Sequence, residues 1–153
     1  EADIWLDVAE YNLLLERGND LLPTDPRTAV ALFRQALALY QGEYLQEYPY
    51  EEWCSEERER LLTSYLQMAE QVAAALLAQE AWEDAAEVAR LILARDDCWE
   101  QAYRILMTAY DRMGNRSQAL RVYQRCRERL NSELGVPPSP STVQLFDSLV
   151  NQT

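Results

Sequence analysis

The sequence contains no histidine and no lysine. Without imidazole there is no Ser-His-Asp triad, no His-ligated metal and no imidazole base. All 14 basic residues are therefore arginine. That usage fits bidentate carboxylate contacts, and it fits the base composition of the source genome equally well. Glycine is scarce, with four in 153 residues. Strand patterning is missing too, because no sustained apolar/polar alternation is flanked by turn pairs. The three cysteines, Cys54, Cys98 and Cys126, are odd in number and far apart, so they form neither a disulfide framework nor a zinc site. They fit a reducing, cytoplasmic setting. Cys126 lies on an apolar stripe and reads as a packed core thiol. No apolar run approaches the roughly 20 residues of a membrane span. The longest, 72–78, is bracketed by Gln71 and Gln79. No signal or transit segment is visible. The chain has no initiator Met and opens directly on a helical pattern, as a piece of a longer protein would.

What is present is helix former: Leu, Ala, Glu, Gln and Arg dominate. The length fits one domain, 1–153, with a core of its own. The stretch from Cys98 to Thr142 organises the rest. Trp99, Ala102, Tyr103, Leu106, Met107, Ala109 and Tyr110 recur at helical spacing, and Gly114-Asn115 supplies a stop. Ala119, Leu120, Val122, Tyr123, Cys126 and Leu130 form a second stripe, ended by Gly135 and the pair Pro137-Pro138. Sliding this plan back by 34 residues lays Tyr103 on Ala69, Leu106 on Val72 and Tyr110 on Leu76. Ala119 falls on Ala85, Val122 on Val88 and Cys126 on Ile92, so apolar meets apolar each time. The turn 80–84 overlies 114–118. A helix–turn–helix period of that length is the mark of a tetratricopeptide-type repeat. Ala85 and Ala119 are small where paired helices must approach closely.

Read in order, the chain predicts an all-α architecture of about seven helices in tetratricopeptide-like hairpins, an α-solenoid. The first pair covers about 3–41. Asp3 is a candidate cap, and Ile4, Trp5, Val8, Tyr11, Leu14 and Leu15 form a buried face. Asp25-Pro26 starts the second helix, lined by Ala29, Leu32, Phe33, Ala36, Leu37 and Tyr40 and stopped by Gly42. Residues 43–52 break the repeat with Tyr44, Tyr48 and Tyr50 among glutamates, and Trp53 follows. Such a loop either folds its aromatics onto the core or offers them to a partner. Further pairs cover about 54–95 and 98–133, with Asp96-Asp97 as the expected cap of the helix that carries Trp99. Val143, Phe146, Leu149 and Val150 mark a last helix, about 140–151, suited to closing the open end of the stack.

The net charge is −12. Residues 1–59 hold fourteen Asp and Glu against four Arg, while half of all arginines lie between Arg104 and Arg129. The overall sign argues against wrapping a phosphate backbone. Arg116, Arg121, Arg125, Arg127 and Arg129 are weighed as a nucleic-acid surface and set aside, since Glu128 and Glu133 interrupt them. The same arginines suit the acidic half of a second copy. No catalytic constellation is found. Asp96 and Asp97 serve as caps, and Glu51-Glu52 and Glu56-Glu57 sit where a helix start favours glutamate. The chain is expected to be no enzyme and to need no metal or cofactor.

Three segments say more than the period does: WLDVAEYNLLL, ALFRQALALYQGEYLQEYPYEEWCSEERERL, and YRILMTAYDRMGNRSQALRVYQRCRERLNSELGVPPSPSTVQLF. Together they resemble the bacterial transcriptional activator domain over nearly the whole chain. The ALYQGEYL…EEW stretch and the ending ELGVPPSPST are the most specific parts. Cys98 departs from the family, which often has proline after this aspartate. The resemblance implies an interaction and regulatory domain of a multidomain bacterial transcription activator. Its implied partners are its own DNA-binding domain, a second copy (a homodimer), or transcription machinery. A generic tetratricopeptide scaffold in another bacterial signalling protein is the alternative. Tetratricopeptide stacks bind along the first helix of each pair. By that resemblance the partner-binding candidates are Gln67, Glu70, Ala74 and Leu77, then Gln101, Arg104, Thr108, Asp111 and Arg112. Arg104 and Arg112 are the expected carboxylate clamp, set against the plainer reading of a solvated polar face. Tyr44, Tyr48, Tyr50 and Trp53 are the insertion-loop candidates.

Overall fold

The computed structural model describes residues 2–41 and 55–152. Seven helices and no strand occur among them: α1 Ala2–Leu21, α2 Pro26–Gln41, α3 Ser55–Ala78, α4 Trp82–Arg95, α5 Glu100–Arg112, α6 Arg116–Leu134 and α7 Pro140–Val150. The expected all-α class is what the chain adopts. It divides into two compact units, Glu1–Val72 and Ala73–Thr153, with the division inside α3. The insertion-loop candidates Tyr44, Tyr48, Tyr50 and Trp53, the stop at Gly42 and Cys54 lie outside the described residues. So do the side chains of Asp3, Ile4, Trp5, Val8 and Tyr40.

In the first unit α1 and α2 pack as a hairpin. Asp25 starts α2 as its sequence position predicts. One carboxylate oxygen accepts from Thr28 N at 3.3 Å and the other from Thr28 Oγ1 at 2.6 Å. The hairpin core is Tyr11, Leu14, Ala29, Val30, Phe33, Ala36 and Leu37. Gly18 sits opposite the Phe33 ring. A Cβ there would stand 2.4 Å from a ring carbon. Phe33 is fully buried, so the ring has nowhere to go. Glycine is thus the residue that lets the two helices meet at this height.

The second unit shows the repeat in three dimensions. Trp82 opens α4 and Arg116 opens α6, at matched places in the period. Ala73, Leu76, Ala85, Val88 and Ile92 are buried, as are Tyr103, Leu106, Ala119, Val122 and Cys126. Ala69 and Val72, on the first-unit part of α3, are buried as well. Tyr110 keeps partial exposure, and its hydroxyl accepts from Arg90 Nη1 at 2.9 Å. The two matched turns share their hydrogen bonds. Asn115 N donates to Tyr110 O at 2.8 Å, and Ala81 N donates to Leu76 O at 2.9 Å. Both are helix stops that need a left-handed residue. Gly114 supplies it with φ 81°, whereas the first turn places Glu80 there with φ 60°. Gly135 ends α6 in the same region, φ 66°.

Two stability outcomes follow from the backbone. Gly18→Ala should lower the urea midpoint by the equivalent of about 1–2 kcal/mol, over-packing against Phe33 outweighing alanine's better helix propensity. Adding Phe33→Leu should recover part of that loss. Glu80→Gly should raise stability by roughly 0.5–1 kcal/mol, since relief of left-handed strain exceeds glycine's entropic cost. Urea unfolding of Gly18→Ala, Gly18→Ala/Phe33→Leu and Glu80→Gly beside the parent chain checks both.

Candidate interaction surfaces and the capture of α7

The last helix starts at Pro140 after the N-cap Ser139, and no local side chain caps it. The missing acceptor comes from α5. Glu100 Oε2 accepts from Ser139 N at 3.0 Å, from Ser139 Oγ at 2.9 Å and from Thr142 Oγ1 at 2.6 Å. Thr142 is fully buried. Its hydroxyl donates to Glu100 and accepts from Arg104 Nη1 at 2.8 Å. Arg104 Nε also donates to Gln101 Oε1 at 3.0 Å, and Nη2 bonds the same oxygen. Burial pushes the Glu100 carboxyl up. The hydrogen bonds from Thr142 and Ser139, with the Arg104 charge 3.9 Å away, outweigh it and hold the group below its ordinary value.

The far end of α7 is tied as well. Arg116, the first residue of α6, donates Nη1 to Gln152 O at 3.1 Å and Nη2 to Val150 O. A carboxylate therefore stands at the N-terminus of α7 and a guanidinium at its C-terminus, each opposite in sign to the helix dipole it faces. Between the ends, Phe146 stacks on Tyr123 of α6 with centroids 3.9 Å apart and planes 17° from parallel. Leu149 is buried below it. The expected closing helix is in place, although Val150 is 45% exposed rather than part of the contact.

The sequence-derived candidates separate into two groups. Gln101 and Arg104 meet, but inside the α5–α7 network, with the Arg104 side chain only 25% exposed. Arg112 lies eight positions further on, roughly 12 Å along the helix axis. It is exposed and sits over the Trp82 ring at 5.8 Å from its centroid. The two arginines are not brought together as a pair. Thr108 and Asp111 are half-buried on the same helix. On α3, Gln67 and Ala74 are exposed, while Glu70 and Leu77 are half-buried. A groove of about 550 Å³ runs between the outer side of α6 and the following loop, lined by Gln124, Arg127, Asn131, Val136, Pro137 and Pro138.

Asp96 and Asp97 do not cap α5, a correction to the sequence reading. The helix begins at Glu100 and its N-cap, Trp99, has no side-chain cap bond. Asp96 Oδ1 instead accepts from Cys98 N at 3.0 Å and closes a turn ahead of the helix. Asp97 pairs with Arg129 at 3.7 Å, and its carbonyl accepts from Tyr103 Oη at 2.7 Å. These two carboxylates and Cys98 bring three ligand-type atoms within 4.8 Å of one another. Burial and then the Asp97 and Asp96 charges push the Cys98 thiol up, which keeps it protonated. Cys126 is fully buried and its thiol is pushed up to about 12, chiefly by burial, as a core thiol should be.

Hairpins of helices with a matched turn, small residues at the crossing and a closing helix define a tetratricopeptide-like repeat domain. Two solved structures share the fold. The TPR domain of Sgt2 from Aspergillus fumigatus superposes with TM-score 0.61 at 20% identity, covering 92% of this chain and 77% of that one. The C-terminal TPR-containing domain of an FK506-binding protein from Plasmodium falciparum gives TM-score 0.63 at 17% identity, covering 95% and 89%. The sequence assigns the family. The chain belongs to the bacterial transcriptional activator domain family, whose model matches residues 6–150. It is 29% identical over 133 residues to the transcriptional regulator RedD of Streptomyces coelicolor, covering 87% of this chain and 38% of RedD. The chain thus spans well under half the length of that relative.

Replacing Glu100 tests the capture of α7. Glu100→Ala strands the Ser139 N–H and the buried Thr142 hydroxyl and should cost about 1–3 kcal/mol. Because the folded carboxyl lies below its unfolded value, its charge contributes above about pH 4.3 and ceases to as the pH falls through the lower folded pKa. The stability gap between the parent chain and Glu100→Gln should therefore be full above the ordinary carboxylate range and close as the pH falls through the lowered folded pKa. A gap independent of pH would show that the charge contributes nothing.

Proposed function

We propose that this chain is the protein-interaction and regulatory domain of a multidomain bacterial transcription activator working in the cytoplasm. Its partner is the activator's own DNA-binding domain, a second copy, or transcription machinery. The observation that carries this reading is a tetratricopeptide-like stack in a chain of the bacterial transcriptional activator domain family. Such stacks present side chains from consecutive helices on a rigid frame, which lowers the ordering cost of binding. With Arg104 and Gln101 engaged at α7, the partner-facing candidates are Gln67, Glu70, Thr108, Asp111 and Arg112. Arg112 is preorganised by the Trp82 ring, and arginine beside tryptophan is the composition of an interface anchor.

The role needs no catalysis. The sequence has no histidine, and the Cys126 thiol, pushed up to about 12, is no nucleophile at neutral pH. Among the described residues no helix is long and apolar enough to cross a membrane.

Titration calorimetry of the chain against the DNA-binding segment of its own regulator, against itself and against RNA polymerase tests the proposal. Binding to at least one is expected, with Arg112→Ala weakening it about tenfold. Arg104→Ala should act instead on stability, by about 1 kcal/mol, through the lost bond to Thr142. A folded chain that binds none of the three overturns the reading.

A further inference from the structure

We propose that an arginine stripe on α6 docks the carboxylate-bearing face of α1 from a second copy of this chain. The inference rests on the interaction-domain reading and adds the surface and the partner. Arg121, Arg125 and Arg129 recur at every fourth position of α6 and are all exposed. Like charges one turn apart repel and weaken the helix that carries them. Arg129 has an internal partner in Asp97, and Arg121 reaches the neutral Gln118. Among the described residues Arg121 and Arg125 make no ion pair. The stripe therefore holds two arginines with no ion pair among the described residues, with the exposed Glu128 one turn from Arg125 as the acidic residue beside them.

The complement lies on α1. Glu16 and Asp20 are one turn apart and exposed, so this helix too carries adjacent like charges. Leu13, one turn before Glu16 on the same side, is 46% exposed. An apolar residue flanked by carboxylates suits arginine. The guanidinium heads meet the carboxylates while their methylene stems cover the leucine. Arg17, one turn after Leu13 and one turn before Asp20, shares this face and is its single positive charge, against the carboxylates of Glu16 and Asp20. The imbalance of the whole chain favours a copy of itself as occupant. Residues 1–59 hold fourteen acidic residues against four arginines, and half of the arginines fall between Arg104 and Arg129. Each copy carries both surfaces, so either copy can present the acidic face to the other's arginine stripe.

Sedimentation equilibrium of the 153-residue chain tests this with two charge reversals, Arg121→Glu/Arg125→Glu and Glu16→Arg/Asp20→Arg. The parent chain should self-associate, and the association should weaken as salt rises from about 0.05 M to about 0.5 M. Each reversal should weaken it about tenfold or more. An equimolar mixture of the two reversed chains should recover association, because opposite charges again face each other. Recovery also shows that both variants are folded. A parent chain that is monomeric at every concentration overturns the proposal, as do reversals that leave association unchanged or a mixture that fails to recover it. Loss of duplex-DNA binding on Arg121→Glu/Arg125→Glu, with self-association intact, assigns the stripe to phosphate and overturns it as well. A monomer that still binds the DNA-binding segment of its regulator overturns the stripe alone and leaves the interaction-domain reading standing.

Discussion

A stack of helical hairpins has one unavoidable problem: its last apolar face has no neighbour. The second unit meets it by holding α7 at both ends with charge. Glu100 replaces the acceptor that the start of α7 lacks, and Arg116 takes the carbonyls that its end leaves open. Both contacts follow the field of the helix itself. Between the two ends the contact is apolar: Phe146 stacked on Tyr123, the buried Leu149, and the half-buried Val143 and Leu145. The second unit is therefore closed by a polar seam at the two ends of α7 and an apolar contact between them.

That seam changes the meaning of the residues nearest to it. Arg104 occupies a position at which a tetratricopeptide repeat presents side chains to a partner, yet its hydrogen bonds run to Gln101 and Thr142 of its own chain. A guanidinium with its donors occupied in a fixed geometry positions a neighbouring helix well and captures an incoming carboxylate poorly. Arg112, two turns along, has the opposite character: exposed, without a carboxylate partner among the described residues, and braced on an indole. One helix thus divides its inward row between holding the fold together and facing outward.

The helices and their pairing were legible because the signals are local. The second predicted pair ends near residue 95, and the structure ends α4 at Arg95. Asp25 before Pro26 announced the start of α2, and Gly135 the end of α6. Overlaying 80–84 on 114–118 made the turns correspond, so the left-handed Glu80 stands where Gly114 stands in the next repeat. The polar seam was not legible. Glu100 and Ser139 are 39 positions apart, and no pattern around Ser139 announces an acceptor from another helix. The contact of Gly18 with Phe33 was hidden for the same reason, because a lone glycine within a helical pattern does not say what it makes room for. The aspartates before α5 misled because the helix begins at Glu100, beyond the reach of a capping side chain. Among the candidate site residues, the sequence placed Gln101, Arg104 and Arg112 on one helix but could not say which of them the fold consumes.

The buried thiol on α6 turns the second unit into its own clock. Cys98 is partly exposed, whereas Cys126 has no accessible surface. An alkylating reagent can reach Cys126 only after α6 has lifted from its neighbours. In the limit of rapid reclosing, the labelling rate reports the population of that open form, and in the limit of slow reclosing it reports the opening rate. Any ligand or partner that seals the unit slows the label by the ratio in which it shifts that equilibrium. The chain thus carries an internal probe of its own breathing that needs no added dye.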